Sequence, residues 1–117
     1  MSIDLNLAPI GNCAVSGLVD SGGRMVWACL PRVDADPFFS SLLNGIEPSG
    51  ENAAGLWAVE AVRPARCEQT YLRNTAVLRT LITDETGASF EILDFSPRLK
   101  LFGRTFRPPA FARLVRP

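Results

Sequence analysis

Residues 14–30 hold two apolar runs folded about Asp20-Ser21-Gly22-Gly23, and no other stretch limits the architecture as tightly. Glycine tolerates the positive backbone angles of a tight turn, so paired glycines between two alternating segments predict a β-hairpin of residues 13–19 with residues 24–30. In the second strand Met25, Trp27 and Cys29 alternate with Val26, Ala28 and Leu30, which places apolar side chains on both faces. A strand apolar on both faces needs cover on both, so a second layer of structure is implied. Pro31 closes the strand, because proline has no N–H for the ladder. Pro37 then predicts the opening of a short helix over residues 37–44, which Gly45 would stop.

Beyond a polar loop at residues 45–53, alternation predicts strands at 55–62, 66–72 and 75–83. Asp84-Glu85-Thr86-Gly87 turns the last of these into a strand over residues 88–95, where Phe90, Ile92 and Asp94 share one face and Glu91, Leu93 and Phe95 the other. An irregular basic stretch runs from Ser96-Pro97 to Pro109, followed by a strand over residues 110–115. Seven strands and one short helix predict an all-β fold, a mostly antiparallel β-sandwich. With 117 residues, 47% of them hydrophobic, the chain suits a single domain over residues 1–117. Its last strand ends so near Pro117 that the sequence reads as cut off.

Composition excludes several classes of function. Lys plus Arg and Asp plus Glu each total 12, so no net field draws the chain to nucleic acid or to an anionic membrane. No apolar run approaches the roughly 20 residues that cross a bilayer, and the N-terminus lacks an export signal; a cytoplasmic protein is expected. Cys13, Cys29 and Cys67 are widely spaced, odd in number and unaccompanied by histidine, so reduced, buried thiols are expected, with no metal and no cofactor. Without histidine, neither a serine–histidine–aspartate nor a cysteine–histidine site can form. Gly17, Gly22 and Gly23 fall in a strand and a turn, not in a phosphate-cradling loop. Paired carboxylates hydrolyse glycosides when about 5 to 9.5 Å apart; the loop acids Asp34, Asp36, Glu47 and Glu51 read instead as solvated charges. No catalytic residue is assigned.

A functional surface is expected on the loop from Pro31 to Phe39, because residues leaving a strand end can face a neighbouring domain. Arg32 offers a planar fork of donors, Asp34 offers two acceptors, and Phe38 forms with Phe39 an apolar pair suited to a partner domain. Two readings stand: the loop leans over a substrate cleft, or Arg32 and Asp34 form an ion pair that shapes it. Trp27 and Trp57 lie in apolar, alternating segments and read as core rather than as a sugar-stacking platform. From Arg98 onward come six of the 12 basic residues and no acid, interleaved with Phe102, Phe106 and Phe111. That pattern reads as a surface packed on a larger parent protein rather than a nucleic-acid site.

Ile10-Gly11-Asn12, Gly17 to Asp20, Gly22 to Arg24, Trp27 to Arg32 with Asp34, Phe39 and Leu42-Leu43, Tyr71 to Thr75 with Val77-Leu78, and Leu93 to Pro97 occur in a characteristic order. In these residues the chain resembles the N-terminal, trehalase-like β-domain of bacterial glycoside hydrolase family 15 proteins, which include glucoamylase, glucodextranase and trehalase-like enzymes. Its most specific motif is Trp27-Ala28-Cys29-Leu30-Pro31-Arg32 followed by an acid. The sequence departs from the family at Val33, where an aromatic is usual, and at Cys13, where a glycine or polar residue is usual. The resemblance implies part of a β-super-sandwich placed before an (α/α)6 barrel. The parent would be an enzyme, an inverting hydrolase of α-linked glucosides using two glutamates on that barrel. Neither glutamate has a counterpart here, so this domain is implied to be non-catalytic. It would brace the barrel of the same chain and wall its cleft, with Arg32, Asp34 and Phe38 at the cleft or domain contact and an α-glucoside as the possible ligand. The alternative is an independent carbohydrate-binding or protein-interaction module. A super-sandwich needs more strands than this chain supplies, so open edges predict that the isolated fragment is a homo-oligomer.

Overall fold

The computed structural model describes residues 6–44 and 55–117. Its first sheet is antiparallel in the order β1-β2-β3-β4, from β1 (Ala8–Gly11), β2 (Ser16–Val19), β3 (Met25–Cys29) and β4 (Pro37–Phe39). Its second has the order β10-β7-β6-β5, from β5 (Pro64–Tyr71), β6 (Leu78–Asp84), β7 (Ser89–Phe95) and β10 (Ala112–Arg116). A separate ribbon pairs β8 (Leu99–Leu101) with β9 (Arg104–Phe106). The fold is an all-β sandwich of mostly antiparallel sheets.

Local chemistry accounts for the turns. Between β2 and β3, the Asp20 Oδ1 atom accepts from the Gly22 and Arg24 amides at 3.0 and 2.9 Å, and Oδ2 accepts from Arg24 Nε at 2.7 Å. Gly23 supplies the positive φ of 82° that closes this turn. Asp84 repeats the device between β6 and β7, accepting from Thr86 and Ala88, with Gly87 at φ 91°.

Ile10, Val19, Met25 and Ala28 of the first sheet bury themselves against Leu78 of the second, with Ala8, Phe39 and Phe111 packed around them. Polar side chains tie the layers together. Buried Asn12 donates through Nδ2 to the carbonyls of Pro97 and Pro108, each at 2.9 Å, while its Oδ1 accepts from Ala14 and Val15. Gln69 on β5 donates to the Asp20 carbonyl at 2.7 Å, and Tyr71 donates to that of Pro9 at 2.6 Å. The bonds to the carbonyls of Pro97, Pro108, Asp20 and Pro9 join segments far apart in sequence, so each costs loop-closure entropy and appears only with the assembled sandwich.

Several expectations require correction. Residues 37–39 are strand rather than the start of a helix, because β3 has an open edge that Phe39 and Pro37 fill opposite Ala28 and Cys29. Proline is tolerated there as the edge position needs no donor. What remains of the helix is one 3-10 turn, Ser41–Asn44. Residues 55–62 form no strand: Trp57 alone bridges to Met25 through two backbone bonds of 2.9 and 3.1 Å, taking the length of the β3 edge that β4 leaves open. The stretch read as irregular contains the β8–β9 ribbon, and β1 precedes the first strand expected from the sequence. Only Cys29 is buried; Cys13 and Cys67 are exposed free thiols.

Candidate functional site

The loop between β3 and β4 leaves Leu30 through a cis peptide to Pro31 and turns back at Ala35, whose amide donates to the Arg32 carbonyl at 3.1 Å. Across this turn Arg32 Nη2 donates to Asp34 Oδ2 at 2.9 Å. The two side chains are 74% and 66% exposed. Water screens such a pair, which contributes between nothing and about 1 kcal/mol to stability. The Asp34 carboxylate is thus engaged by the neighbouring guanidinium; Glu47 and Glu51 lie outside the described residues.

At the end of the loop Phe38 stands 67% exposed, its ring edge-on to Phe39 with centroids 5.0 Å apart. Phe39 is half-buried and lies 6.3 Å from Trp57, which is 37% exposed rather than core. The Arg113 guanidinium sits 5.3 Å from the Trp57 ring centre. The three rings therefore form a row along the β3 edge, exposed at Phe38 and anchored inward at Arg113. Trp27 is half-buried in β3.

Sequence reading did not identify the centre of this anchor. Arg113 on β10 donates from Nε to Asp94 Oδ1 at 2.6 Å and from Nη2 to Oδ2 at 3.1 Å, the bidentate fork that guanidinium geometry favours. It also donates to the carbonyls of Trp57, at 2.5 Å, and Gly23. Both side chains are sealed, 1% exposed for Arg113 and fully buried for Asp94. Burial pushes the Asp94 carboxyl up from its ordinary value against the pull of the arginine. One signal was visible in the sequence: Asp94 shares a strand face with Phe90 and Ile92, and an acid on an apolar face requires a partner.

A concavity of 330 Å³ opens where the β1 and β5 edges meet, lined among others by Ala8, Ser21, Cys67, Gln69, Tyr71 and Leu78. Its polar groups are directed at the backbone, as Gln69 and Tyr71 hold carbonyls and the Cys67 thiol lies 3.0 Å from the Ser21 carbonyl. Although the residue is exposed as a whole, partial desolvation of its sulfur, reinforced by the Asp20 charge, pushes the Cys67 thiol up, which keeps it protonated and poorly nucleophilic. Among the described residues no group of three or more histidine, cysteine or acidic side chains is placed to hold a metal, and no helix is long and apolar enough to cross a membrane.

A family model described as trehalase-like, N-terminal, matches residues 4–105, from before β1 into β9. No curated protein and no solved structure matches the chain.

Proposed function

Because the chain belongs to the trehalase-like, N-terminal domain family, we propose that it is the non-catalytic N-terminal domain of a cytoplasmic glycoside hydrolase family 15 protein, bracing that protein's catalytic barrel. The parent would hydrolyse α-linked glucosides with inversion. In this reading the Arg32–Asp34 turn and Phe38 project from a rigid sheet edge toward the barrel and wall its cleft. The family match carries the proposal. It is supported by the way buried acids and polar groups are committed to turns and sheet ties, which leaves the domain contacts rather than chemistry to offer.

The weakness of the exposed Arg32–Asp34 pair makes the cleft role testable. Arg32→Ala removes about 1 kcal/mol of stability at most, so its kinetic effect in the full-length parent is not masked by unfolding. A tenfold or greater fall in kcat/KM on maltose, trehalose or isomaltose is expected. Unchanged constants on all three would remove the loop from the cleft.

A second reading, an independent carbohydrate-binding module, rests on the exposed Phe38 ring beside Phe39 and Trp57. A sugar stacked there would alter Trp57 emission. Titration with the same three sugars that leaves tryptophan fluorescence untouched would eliminate it.

A further inference from the structure

The β8–β9 ribbon is the part of the molecule whose shape is least explained by the fold. It pairs with neither four-stranded sheet. Residues opposite one another in an antiparallel pair share a face, so the register Leu99 to Phe106 and Leu101 to Arg104 puts Leu99, Leu101, Phe106 and Arg104 on one side, with Lys100 and Thr105 on the other. The apolar members of that first face are about half exposed. A two-stranded hairpin with three residues per strand is marginal in water, and here it presents an apolar face that the described chain leaves about half exposed.

Its tip is also strained. Phe102 and Gly103 hold φ of 52° and 74°, the two consecutive positive angles of a type I′ turn. Gly103 accepts this freely. A phenylalanine does not, since its Cβ crowds the backbone in the left-handed region, where asparagine or glycine is usual. The ring gains almost nothing among the described residues in return, for Phe102 is 95% exposed. A bulky ring held in an unfavourable backbone state with no internal contact points to a contact made elsewhere. Around it, Arg98, Lys100, Arg104 and Arg107 are exposed and form no ion pair with any described acid.

We propose that the β8–β9 ribbon is the arm by which the domain docks onto the rest of its parent polypeptide, Phe102 and the Leu99–Leu101–Phe106 face entering an apolar depression rimmed by carboxylates. This rests on the reading of the chain as one domain of a larger hydrolase. Charge selects the occupant. Two copies packed ribbon to ribbon would bring like-charged arginines together without an acid between them, which disfavours a second copy. Arg104 lies within the apolar face, where a protein surface can supply a facing carboxylate and hydrocarbon cannot.

Amide exchange in the full-length protein tests the proposal, with Phe102→Asn as the variant. Asparagine suits a left-handed position, so this change eases the turn and spares the fold. The docked ribbon is expected to exchange about a hundredfold more slowly than a fluctuating hairpin. Phe102→Asn is expected to speed exchange at residues 99–106 about tenfold while β6 and β7 stay unchanged. A ribbon that exchanges freely in the wild-type parent, or is equally or better protected in the variant, overturns docking. Phosphatidylserine vesicles or a labelled single-stranded oligonucleotide, retained by the wild type and released by the variant, would overturn it in favour of that occupant. Failure of the parent reading is separate, being read from a natural gene product no heavier than the chain's own 12.7 kDa.

Discussion

Replacing Arg113 with methionine removes the cation that faces Asp94 while keeping an unbranched side chain of similar length. The carboxylate would remain fully buried with two charge-assisted bonds lost, and the carbonyls of Trp57 and Gly23 would each lose one donor. Breaking a buried pair from one side costs about 3–5 kcal/mol. Domains of this size have total stabilities of about 5–15 kcal/mol, so the variant is expected to sit near the edge of folding. The cost should depend on pH. In the wild type the folded Asp94 carboxyl is already pushed up by burial, and losing the cation pushes it further. A folded value above the unfolded one means that the native state binds the proton more tightly, so the associated stability is complete below the unfolded carboxyl range and is lost as pH rises through the folded value. Urea unfolding followed by tryptophan emission should therefore show the full penalty near about pH 7 and a smaller one near about pH 4. A cost below about 1 kcal/mol at neutral pH would refute the reasoning, since it would mean that the carboxylate finds water or another partner. Should Arg113→Met fail to fold, Asp94→Asn keeps the shape and removes the charge, and it should show a penalty with the opposite pH trend, largest below the unfolded carboxyl range, where the wild-type contribution of this group is complete, and smaller as pH rises.

Gly11→Ala should destabilise by about 1–3 kcal/mol in the same assay, because its Cβ would come within 2.6 Å of the Val15 carbonyl oxygen, a backbone atom that cannot move aside cheaply. Ser96→Ala should be neutral or raise stability by up to about 1 kcal/mol, as the Ser96 hydroxyl is buried with no hydrogen-bond partner among the described residues. Iodoacetamide at neutral pH should alkylate Cys67 more slowly than an unstructured cysteine peptide, since its thiol is held protonated; mass spectrometry of the 67-containing peptide reads the rate. The isolated chain should self-associate through its open edges, of which β5 is the longest at eight residues, and light scattering at high micromolar concentration that finds only a monomer would count against this.

The hairpins were legible in the sequence because their signals are local. Gly22-Gly23 and Asp84 to Gly87 fix turns whatever the rest of the chain does, and alternation then pairs β2 with β3 and β6 with β7. Pro37 was misread because proline suits both a helix start and an edge strand; the open side of β3 decides between them, and that is a tertiary fact. Trp57 was assigned to a strand for the same reason in reverse: its neighbours are apolar enough, but β4 already occupies most of the edge that a strand there would need. The β8–β9 ribbon has three residues per strand, too few for alternation to stand out from a basic loop. The Arg32–Asp34 pair was legible as one of two readings because both partners lie on one turn. Arg113 and Asp94 are 19 positions apart, and only the acid's place on an apolar face hinted at the pair.

The distribution of charge separates structural from functional residues. Asp20 is committed to Arg24 and the first turn, Asp94 to Arg113, Asp84 to the second turn, and Glu91 to both Arg79 and Arg116, which hold its carboxyl below the usual range. An acid engaged in this way is a poor general acid or nucleophile, since it must give up its partners before it can exchange a proton with a substrate. The cations of residues 98–107 have no such commitment, and they surround an apolar face and a strained aromatic tip. Catalysis by any of these four carboxylates would require its release from the fold, whereas binding requires only the surface that the fold already leaves exposed. On the proposed reading the domain acts by contact, and the ribbon and the Arg32 loop are its two separately testable surfaces.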